Sequence, residues 1–320
     1  MISRRGFLGA GLAGVSSLFF SPAWAQGGAD LGTPTLPSPG FKKFKLGEME
    51  IIALNDGVGR RPLVEGFVRN APLDEVKSML ASQNLPTNYI DIPFTTFLIV
   101  HHGHKYLIDT GFADNGPPTT GKTIANLAAA GYKPEDIDHV LISHFHGDHI
   151  NGLKYKNGDW VYPKAKIHVP APEHAFWTDP AKMSAAPEAL KGAFANVQKV
   201  FAGLPADRLV KFEPGAEVVP GVGSLAAFGH TPGHTAFTAK SGGKTFIYVA
   251  DTTNIPALFA RKPDWAVMFD MNADMARETR RKVFDMIAKE NMLAGGFHFP
   301  FPAVGNIVVE GSGYQFKPLP

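Results

Sequence analysis

Alternating apolar and polar positions divide the chain into two strand-rich halves, each followed by helices. In the first half, apolar stretches bounded by turn residues predict strands at 44–54, 95–100, 105–109, 138–142 and 166–169. In the second half, the same pattern predicts strands at 209–212, 224–229, 235–240 and 245–250. We expect the strands of both halves to belong to one packed unit with helices outside.

Apolar residues spaced three or four positions apart predict the helices. These fall at 72–83, 121–130, 187–201 and 274–290, with a shorter helical turn at 172–177. Asn55-Asp56-Gly57 is expected to close the first hairpin. Residues 60–70, which include Phe67, have no clear period and are interpreted as a loop that overhangs a pocket. Residues 170–203 are expected to leave the sheet core, where substrate walls tend to lie.

The first 25 residues have the pattern of an export signal. Arg4-Arg5-Gly6-Phe7-Leu8 precedes an apolar run at 9–20, which is too short to span a membrane, and Ala23-Trp24-Ala25 forms a cleavage site. A pair of arginines in this position is typical of the twin-arginine route. We therefore predict a signal peptide at 1–25, a flexible leader rich in Gly and Pro at 26–40, one domain at 41–320, and a periplasmic or secreted product.

Composition narrows the classes of partner. The chain has 31 Lys and Arg against 29 Asp and Glu, and loss of Arg4 and Arg5 leaves 31 − 2 = 29 basic residues. A mature charge near zero argues against a nucleic-acid partner. There is no cysteine, which excludes disulfides and thiolate chemistry. No stretch of the mature chain predicts a membrane span. A small-molecule substrate is the expected partner, and a homodimer is left open.

Side chains that can bind a metal are most concentrated directly after a predicted buried strand, in Ser143-His144-Phe145-His146-Gly147-Asp148-His149. Alternation in an extended segment places His144 and His146 on the same side. Gly147 permits a sharp bend, so that Asp148 and His149 can face the same point. Three imidazoles and a carboxylate exceed what one zinc ion needs from a single segment, which favours two adjacent metals.

Further histidines and aspartates follow strands elsewhere in the chain. They are Asp109, His230 and His234 of the segment Gly229-His230-Thr231-Pro232-Gly233-His234, Asp251, and His298. His101, His102 and His104 instead lie in a turn at the far end of their strands. We expect these three to be exposed turn residues.

The His144–His149 run and the later segments resemble the metallo-β-lactamase superfamily, whose fold is a four-layer αβ/βα sandwich of the α+β class. The resemblance implies that His144, His146 and His234 hold one divalent metal ion and Asp148, His149 and His298 the other. Asp251 and a hydroxide would bridge the two ions, which are expected to be Zn²⁺. Asp109 would support a histidine ligand, and His230 would be a neighbour of the ligands.

Segments beyond the shared signature are similar to methyl parathion hydrolase-like proteins. They include Leu107-Ile108-Asp109-Thr110-Gly111, Ala175-Phe176-Trp177 and His298-Phe299-Pro300-Phe301-Pro302. In that group Trp177 matches an aromatic of the leaving-group pocket, with core packing as its alternative role. Asn115 and Leu190 stand where two further aromatic walls are expected. These departures favour lactone or aryl-ester substrates over phosphotriesters.

The resemblance implies a dinuclear hydrolase in which a metal-bridging hydroxide attacks the substrate, with Asp251 and Asp148 as catalytic carboxylates. An organophosphate hydrolase proper of the methyl parathion type is one alternative, and a mononuclear-iron sulfur dioxygenase of the same fold is another. A glyoxalase II, a β-lactamase proper and a non-enzymatic metal-binding module fit the sequence less well.

Overall fold

The structure is a computed structural model and describes residues 30–320. The predicted signal peptide lies outside the described residues. Residues 30–40, the described part of the expected leader, contain no helix or strand. Even so, Arg60 donates a hydrogen bond to the carbonyl oxygen of Leu31 at 2.8 Å, and Pro34 is buried. This part of the leader therefore lies against the domain.

The first sheet contains seven strands in chain order. They are β1 Phe41–Leu46, β2 Met49–Pro62, β3 Tyr89–His101, β4 His104–Ile108, β5 His139–Leu141, β6 Lys166–Pro170 and β7 Leu209–Phe212. Pairing is antiparallel from β1 to β4 and parallel from β4 to β7.

The second sheet also contains seven strands among the described residues. In spatial order they run from β14 back to β8, and they are β8 Glu217–Val219, β9 Val222–Ala226, β10 Thr235–Ser241, β11 Lys244–Tyr248, β12 Leu293–Gly295, β13 Val304–Glu310 and β14 Gly313–Pro318. Only β11 and β12 pair in parallel. The two mixed sheets confirm the expected α+β sandwich.

The helices lie between and around these strands. They are α1 Leu73–Ala81, α2 Thr123–Ala129, α3 Gly147–Ile150, α4 Ala171–Trp177, α5 Pro180–Ala185, α6 Glu188–Phe201, α7 Pro256–Phe259 and α8 Ala273–Glu290. Within residues 30–320, none of the helices combines the length and the apolar character that a membrane crossing needs.

The alternation along β2 shows how the layers are built. Ile51 and Ala53 belong to a core cluster that also contains buried residues of the second sheet and of α8, whereas Ile52 and Leu54 belong to a second cluster with residues of α2 and α6. Successive side chains of a strand point to opposite faces, so one strand serves both layers. The first sheet is therefore buried on both faces.

One predicted turn is wrong. β2 does not end at Asn55-Asp56-Gly57 but continues to Pro62, with a shift of register between Asn55 and Gly57. The extra residue forms a bulge, and Asp56 there accepts hydrogen bonds from the backbone of Phe112, Gly121 and Thr123. The turn-like residues thus bend a long strand and anchor a neighbouring loop.

Candidate metal centre

The sequence after β5 delivers four candidate ligands to one end of the first sheet. Nε2 of His144 lies 3.0 Å from Nδ1 of His146, on the same side of the segment, as the alternation predicted. Gly147 then begins α3, which carries Asp148 and His149. His144 and His149 are fully buried, whereas the side chain of Asp148 is 19% exposed. The centre is therefore most open to solvent on the Asp148 side.

Two groups of ligating atoms form around this segment, and within each group the atoms lie within 4.8 Å of one another. One group is His144, His146, His230 and Asp251, and the other is Asp148, His149 and His298. Asp251 follows β11 and His298 follows β12, the parallel pair of the second sheet. The groups therefore combine residues from the ends of strands in both sheets.

Asp251 lies between the two groups. Its Oδ2 is 3.2 Å from Nε2 of His230 and 3.0 Å from Nε2 of His298. Its Oδ1 is 3.3 Å from Nε2 of His149. One carboxylate thus faces histidines of both groups, which is the position that a bridging ligand would occupy.

The donor set suits two divalent cations. Nε2 of His149 and Oδ1 of Asp251 are buried and have no hydrogen-bond partner. Buried polar atoms normally have partners, and a bound ligand would supply the partner that these two atoms lack. Imidazole nitrogens and carboxylate oxygens are the donors that zinc and similar ions accept. The residues present therefore fit a pair of such ions.

The surroundings of the first ligand group shift the pKa values of its histidines. Burial and the neighbouring imidazoles lower the pKa of His144 and of His146 well below the ordinary value. Both rings are then neutral at pH 7, and each neutral imidazole keeps one nitrogen lone pair. At His230, burial lowers the pKa, but Asp251 and Asp270 outweigh it and raise the pKa to about 9. A cation entering the group would displace that proton.

The structure corrects the assignment of His234 as a ligand. Its Nδ1 donates a hydrogen bond to the carbonyl oxygen of Ala227 at 2.8 Å, so its Nε2 carries the lone pair. That lone pair accepts the backbone N–H of Asp251 at 3.0 Å. Neither ring nitrogen is left for a metal. His230, expected only as a neighbour, takes the position in the ligand group instead.

Carboxylates outside the groups orient two of the histidines. Nδ1 of His230 donates to Asp270 at 2.9 Å, and Nδ1 of His149 donates to Asp109 at 2.8 Å. Both Nε2 atoms are thereby turned toward Asp251. Asp109, at φ +56°, also accepts the hydroxyl hydrogen of Tyr248 at 2.7 Å. Such partners fix the tautomer and direction of a metal-binding imidazole.

Two residues expected in the substrate pocket lie in the core. Trp177 is 0% exposed, packs 4.7 Å from the ring of Phe194, and donates its indole N–H to Glu173. Phe67 is 1% exposed and lies with its ring 6.1 Å from that of Phe259. Both pocket assignments are therefore wrong, because these side chains have no surface that a substrate could contact.

Asn115 and Leu190 occupy different surroundings. The side-chain amide of Asn115 donates to the carbonyl oxygens of Asn151 at 3.1 Å and of Lys154 at 2.7 Å. It thus braces the chain after α3. It also lines a surface cavity of about 320 Å³ that contains none of the metal-group residues. Leu190 is half-buried in the first turn of α6. His102 and His104 are exposed, as expected of the turn.

Several residues near the centre gave no signal in the sequence. Asp270, Tyr248 and Glu173 are isolated polar residues whose roles depend on contacts with distant segments. Asn254, three residues after Asp251, is 1% exposed, and neither atom of its amide has a hydrogen-bond partner. Only the tertiary structure brings these residues to the site.

Comparison with known proteins places this chain in a family. A sequence profile of the metallo-beta-lactamase superfamily matches residues 95–290. An N-acyl homoserine lactonase of Bacillus sp. is 29% identical over 187 residues, which cover 52% of this chain and 66% of the relative. A second N-acyl homoserine lactonase, from Bacillus cereus, is 28% identical over 188 residues, covering 52% of this chain and 67% of the relative. The match to the first relative thus spans slightly less than two thirds of its length.

Two solved structures share most of the fold. AidC, described as a dizinc quorum-quenching lactonase in complex with a homoserine product, has a TM-score of 0.82 and 30% identity, over 88% of this chain and 98% of its own. The hydrolase AbOPH also has a TM-score of 0.82, with 27% identity over 88% of this chain and 97% of its own. These lactonases and hydrolases confirm the expectation of a hydrolase-type member of this fold. The chain belongs to the metallo-β-lactamase superfamily.

Proposed function

We propose that this protein is a dinuclear metal-dependent hydrolase that opens lactones, with N-acyl homoserine lactones and aryl lactones or esters as the substrate class. The observation that carries the proposal is the position of Asp251, whose carboxylate faces histidines of both ligand groups. Support for the substrate class comes from two lactonase relatives and from the likeness to AidC.

His144, His146, His230 and Asp251 would hold one ion. Asp148, His149 and His298 would hold the second, with Asp251 shared between them. Two such ions would supply a hydroxide nucleophile at neutral pH, because a bound divalent cation lowers the pKa of water to about 7.

The residues of the chain orient the reaction. Burial raises the pKa of Asp251, but His298 and His149 outweigh it and hold that pKa well below the ordinary value. The Asp251 carboxylate is therefore ionised and can accept a proton as the nucleophile attacks the carbonyl carbon. The carbon–oxygen bond of the lactone then breaks, and the accepted proton passes to the leaving oxygen. Neither a serine nor a cysteine nucleophile is needed.

The substrate would approach from the Asp148 side, where the ligand groups reach solvent. Asp148 thus combines a ligand position with contact to the entrance. A planar lactone carbonyl needs only one open face for attack, whereas a phosphotriester needs room for an in-line leaving group. We therefore expect a lower kcat/KM for phosphotriesters than for lactones.

The test is a substrate panel with the mature protein loaded with zinc or manganese. N-hexanoyl homoserine lactone, dihydrocoumarin, an aryl acetate and methyl parathion would be compared by kcat/KM. We expect a lactone to give the highest value, and chelation of the metal to abolish it. Methyl parathion as the best substrate would refute the substrate class. Lack of hydrolysis of every compound by metal-loaded protein would refute the proposed function itself.

A further inference from the structure

Glu173 is a fully buried carboxylate in α4 that belongs to neither ligand group. We propose that Glu173 is a positioning residue that holds the two histidine-bearing loops of the first ligand group at the spacing the metal requires. The inference rests on the proposed metal centre and adds a residue that neither the sequence pattern nor the ligand groups contain.

The carboxylate accepts four hydrogen bonds. Oε1 accepts the backbone N–H of Phe145 at 2.9 Å and the indole N–H of Trp177 at 2.7 Å. Oε2 accepts the hydroxyl hydrogen of Thr231 at 2.8 Å and the backbone N–H of Gly233 at 2.7 Å. Each oxygen therefore has both of its acceptor directions filled by a donor.

Three of these donors belong to the loops that carry the ligands. Phe145 stands between His144 and His146 in the loop after β5. Thr231 follows His230 directly in the loop between β9 and β10. The first loop leaves the first sheet and the second connects strands of the second sheet. One carboxylate thus ties together histidine-bearing segments of different sheets.

The contact is built into the backbone at Gly233. A Cβ atom added there would lie 2.2 Å from the backbone nitrogen of Glu173 and 2.6 Å from its Cα. A side chain at this position would push the loop away from α4. Glycine lets the loop approach closely enough for its N–H to reach the carboxylate.

The hydrogen-bond geometry around Glu173 favours the ionised carboxylate. Burial raises the pKa of its carboxyl group, and the four hydrogen bonds oppose that rise. If the carboxyl group were protonated, its hydrogen would point at one of the four donors. No acceptor is available there for that hydrogen. A fixed negative charge behind the loop backbone also favours a positively charged group among the histidines in front of it.

Three variants test the proposal. Glu173→Gln keeps the shape but turns an N–H₂ group toward donors, and Thr231→Val removes one of the bonds to a ligand loop. Trp177→Phe is the matched control, because it removes the donor that lies on α4 itself and leaves the loop bonds intact. For each variant, zinc affinity would be measured by competition with a chelating dye, thermal stability on metal-free protein, and ligand geometry from the visible spectrum of the Co²⁺ form.

We expect Glu173→Gln to weaken binding at one of the two sites by about 10–100-fold and to change the Co²⁺ spectrum, as for other partners that orient ligands. Thr231→Val should shift both readouts in the same direction by a smaller factor. Trp177→Phe should lower thermal stability while zinc affinity stays within about threefold of the wild type. Thr231→Val gives the answer if Glu173→Gln does not fold.

The proposal would be overturned if Glu173→Gln or Thr231→Val lowered stability as Trp177→Phe does but left zinc affinity and the Co²⁺ spectrum unchanged. Such a result would make Glu173 a structural residue only. Failure of the underlying metal centre would look different, because the wild-type protein itself would then bind no metal in the same titration.

Discussion

Nδ1 of His230 donates a hydrogen bond to Oδ1 of Asp270 at 2.9 Å, and this bond turns Nε2 of His230 toward the ligand group. Asp270 is held in turn by the fully buried Arg280, whose guanidinium lies 3.4 Å from its Oδ2. The carboxylate thus has a charged partner on one side and an imidazole on the other. This arrangement distinguishes His230 from His234, whose Nδ1 donates only to a backbone carbonyl.

The first prediction separates these two histidines. His230→Ala removes a ring nitrogen from the first ligand group, so it should lower metal content to about one ion per chain at limiting free zinc. His234→Ala removes the acceptor of the Asp251 N–H and leaves that donor unpaired. We expect it to retain two ions but to lower the free energy of unfolding by about 1–3 kcal/mol.

Elemental analysis and denaturant unfolding on the same preparations give both readouts. Each variant is the control for the other, because both remove an imidazole from the same loop. The reverse pattern, with metal lost on replacement of His234 and kept on replacement of His230, would restore the assignment made from the sequence.

The second prediction concerns the shared carboxylate. Asp251→Asn keeps the shape of the side chain but removes the charge that faces both groups. We expect weaker binding at both sites and a loss of kcat/KM of more than about 100-fold, since even partners outside the ligand shell cost 10–100-fold. Metal titration would check this. Loss of a single ion with the other affinity unchanged would place Asp251 in one site only.

Sequence patterns predicted most of the strands because apolar stretches bounded by turn residues are typical of buried strands. They failed where residues typical of a turn instead make contacts with a distant segment of the chain. Asn55-Asp56-Gly57 has the composition of a turn, yet Asp56 is satisfied by a distant loop, and β2 continues beyond it. The helix α5 at Pro180–Ala185 was not predicted, since six residues are too few to show a period.

At the centre, the residues that converge were predicted best where they are close in sequence. The His144–His149 segment carries its own geometry, set by one strand end and one short helix. The choice between His230 and His234 was not predictable, because it depends on what each Nδ1 meets in the folded chain. The pocket assignments of Trp177 and Phe67 failed for a related reason: aromatic residues pack in cores as readily as they line pockets, which is the alternative role that the sequence left open for Trp177.

The third prediction concerns pH and stability. Burial, together with His139 and Lys166, lowers the pKa of His168 to about 4, against 6.5 for the free side chain. Above pH 6.5 the ring is neutral in both states. Between pH 6.5 and 4 only the unfolded chain binds the proton, so stability falls across this window as pH falls. Between pH 7.5 and 5.0, the free energy of unfolding of His168→Gln should therefore fall by about 1–2 kcal/mol less than that of the wild type.

Urea unfolding at the two pH values measures the difference. His102→Gln is the control, because it makes the same replacement at a side chain that is exposed in the turn between β3 and β4. Parallel stability curves for the wild type and His168→Gln would show that His168 does not contribute to the acid sensitivity.

The fourth prediction concerns export, which stays a prediction because the signal segment lies outside the described residues. Replacement of Arg4 and Arg5 by a pair of lysines should leave the precursor in the cytoplasm, since the twin-arginine route reads that pair. Cell fractionation and immunoblotting would show the distribution. The lysine pair keeps the positive charge of the signal segment, so a loss of export would reflect the arginines themselves. An unchanged periplasmic yield would exclude the twin-arginine route.

The last prediction concerns Asn115, which stands where the resemblance to methyl parathion hydrolase-like proteins implies an aromatic wall of the leaving-group pocket. The structure argues otherwise. The Asn115 amide donates to the carbonyl oxygens of Phe112, Asn151 and Lys154, the last two just beyond the ligand-bearing α3. Asn115→Phe would leave these carbonyls without their donor and insert a ring among them.

We therefore expect Asn115→Phe to lower the free energy of unfolding by about 1–3 kcal/mol. Activity on dihydrocoumarin and on methyl parathion should fall together, because the disturbed segment follows Asp148 and His149. Leu190→Phe is the comparison, since a half-buried side chain in the first turn of α6 can grow with less disturbance. Unfolding curves and kcat/KM on both substrates would be measured. A gain on methyl parathion without loss of stability would mean that Asn115 faces the substrate, and that its bonds to the backbone are dispensable.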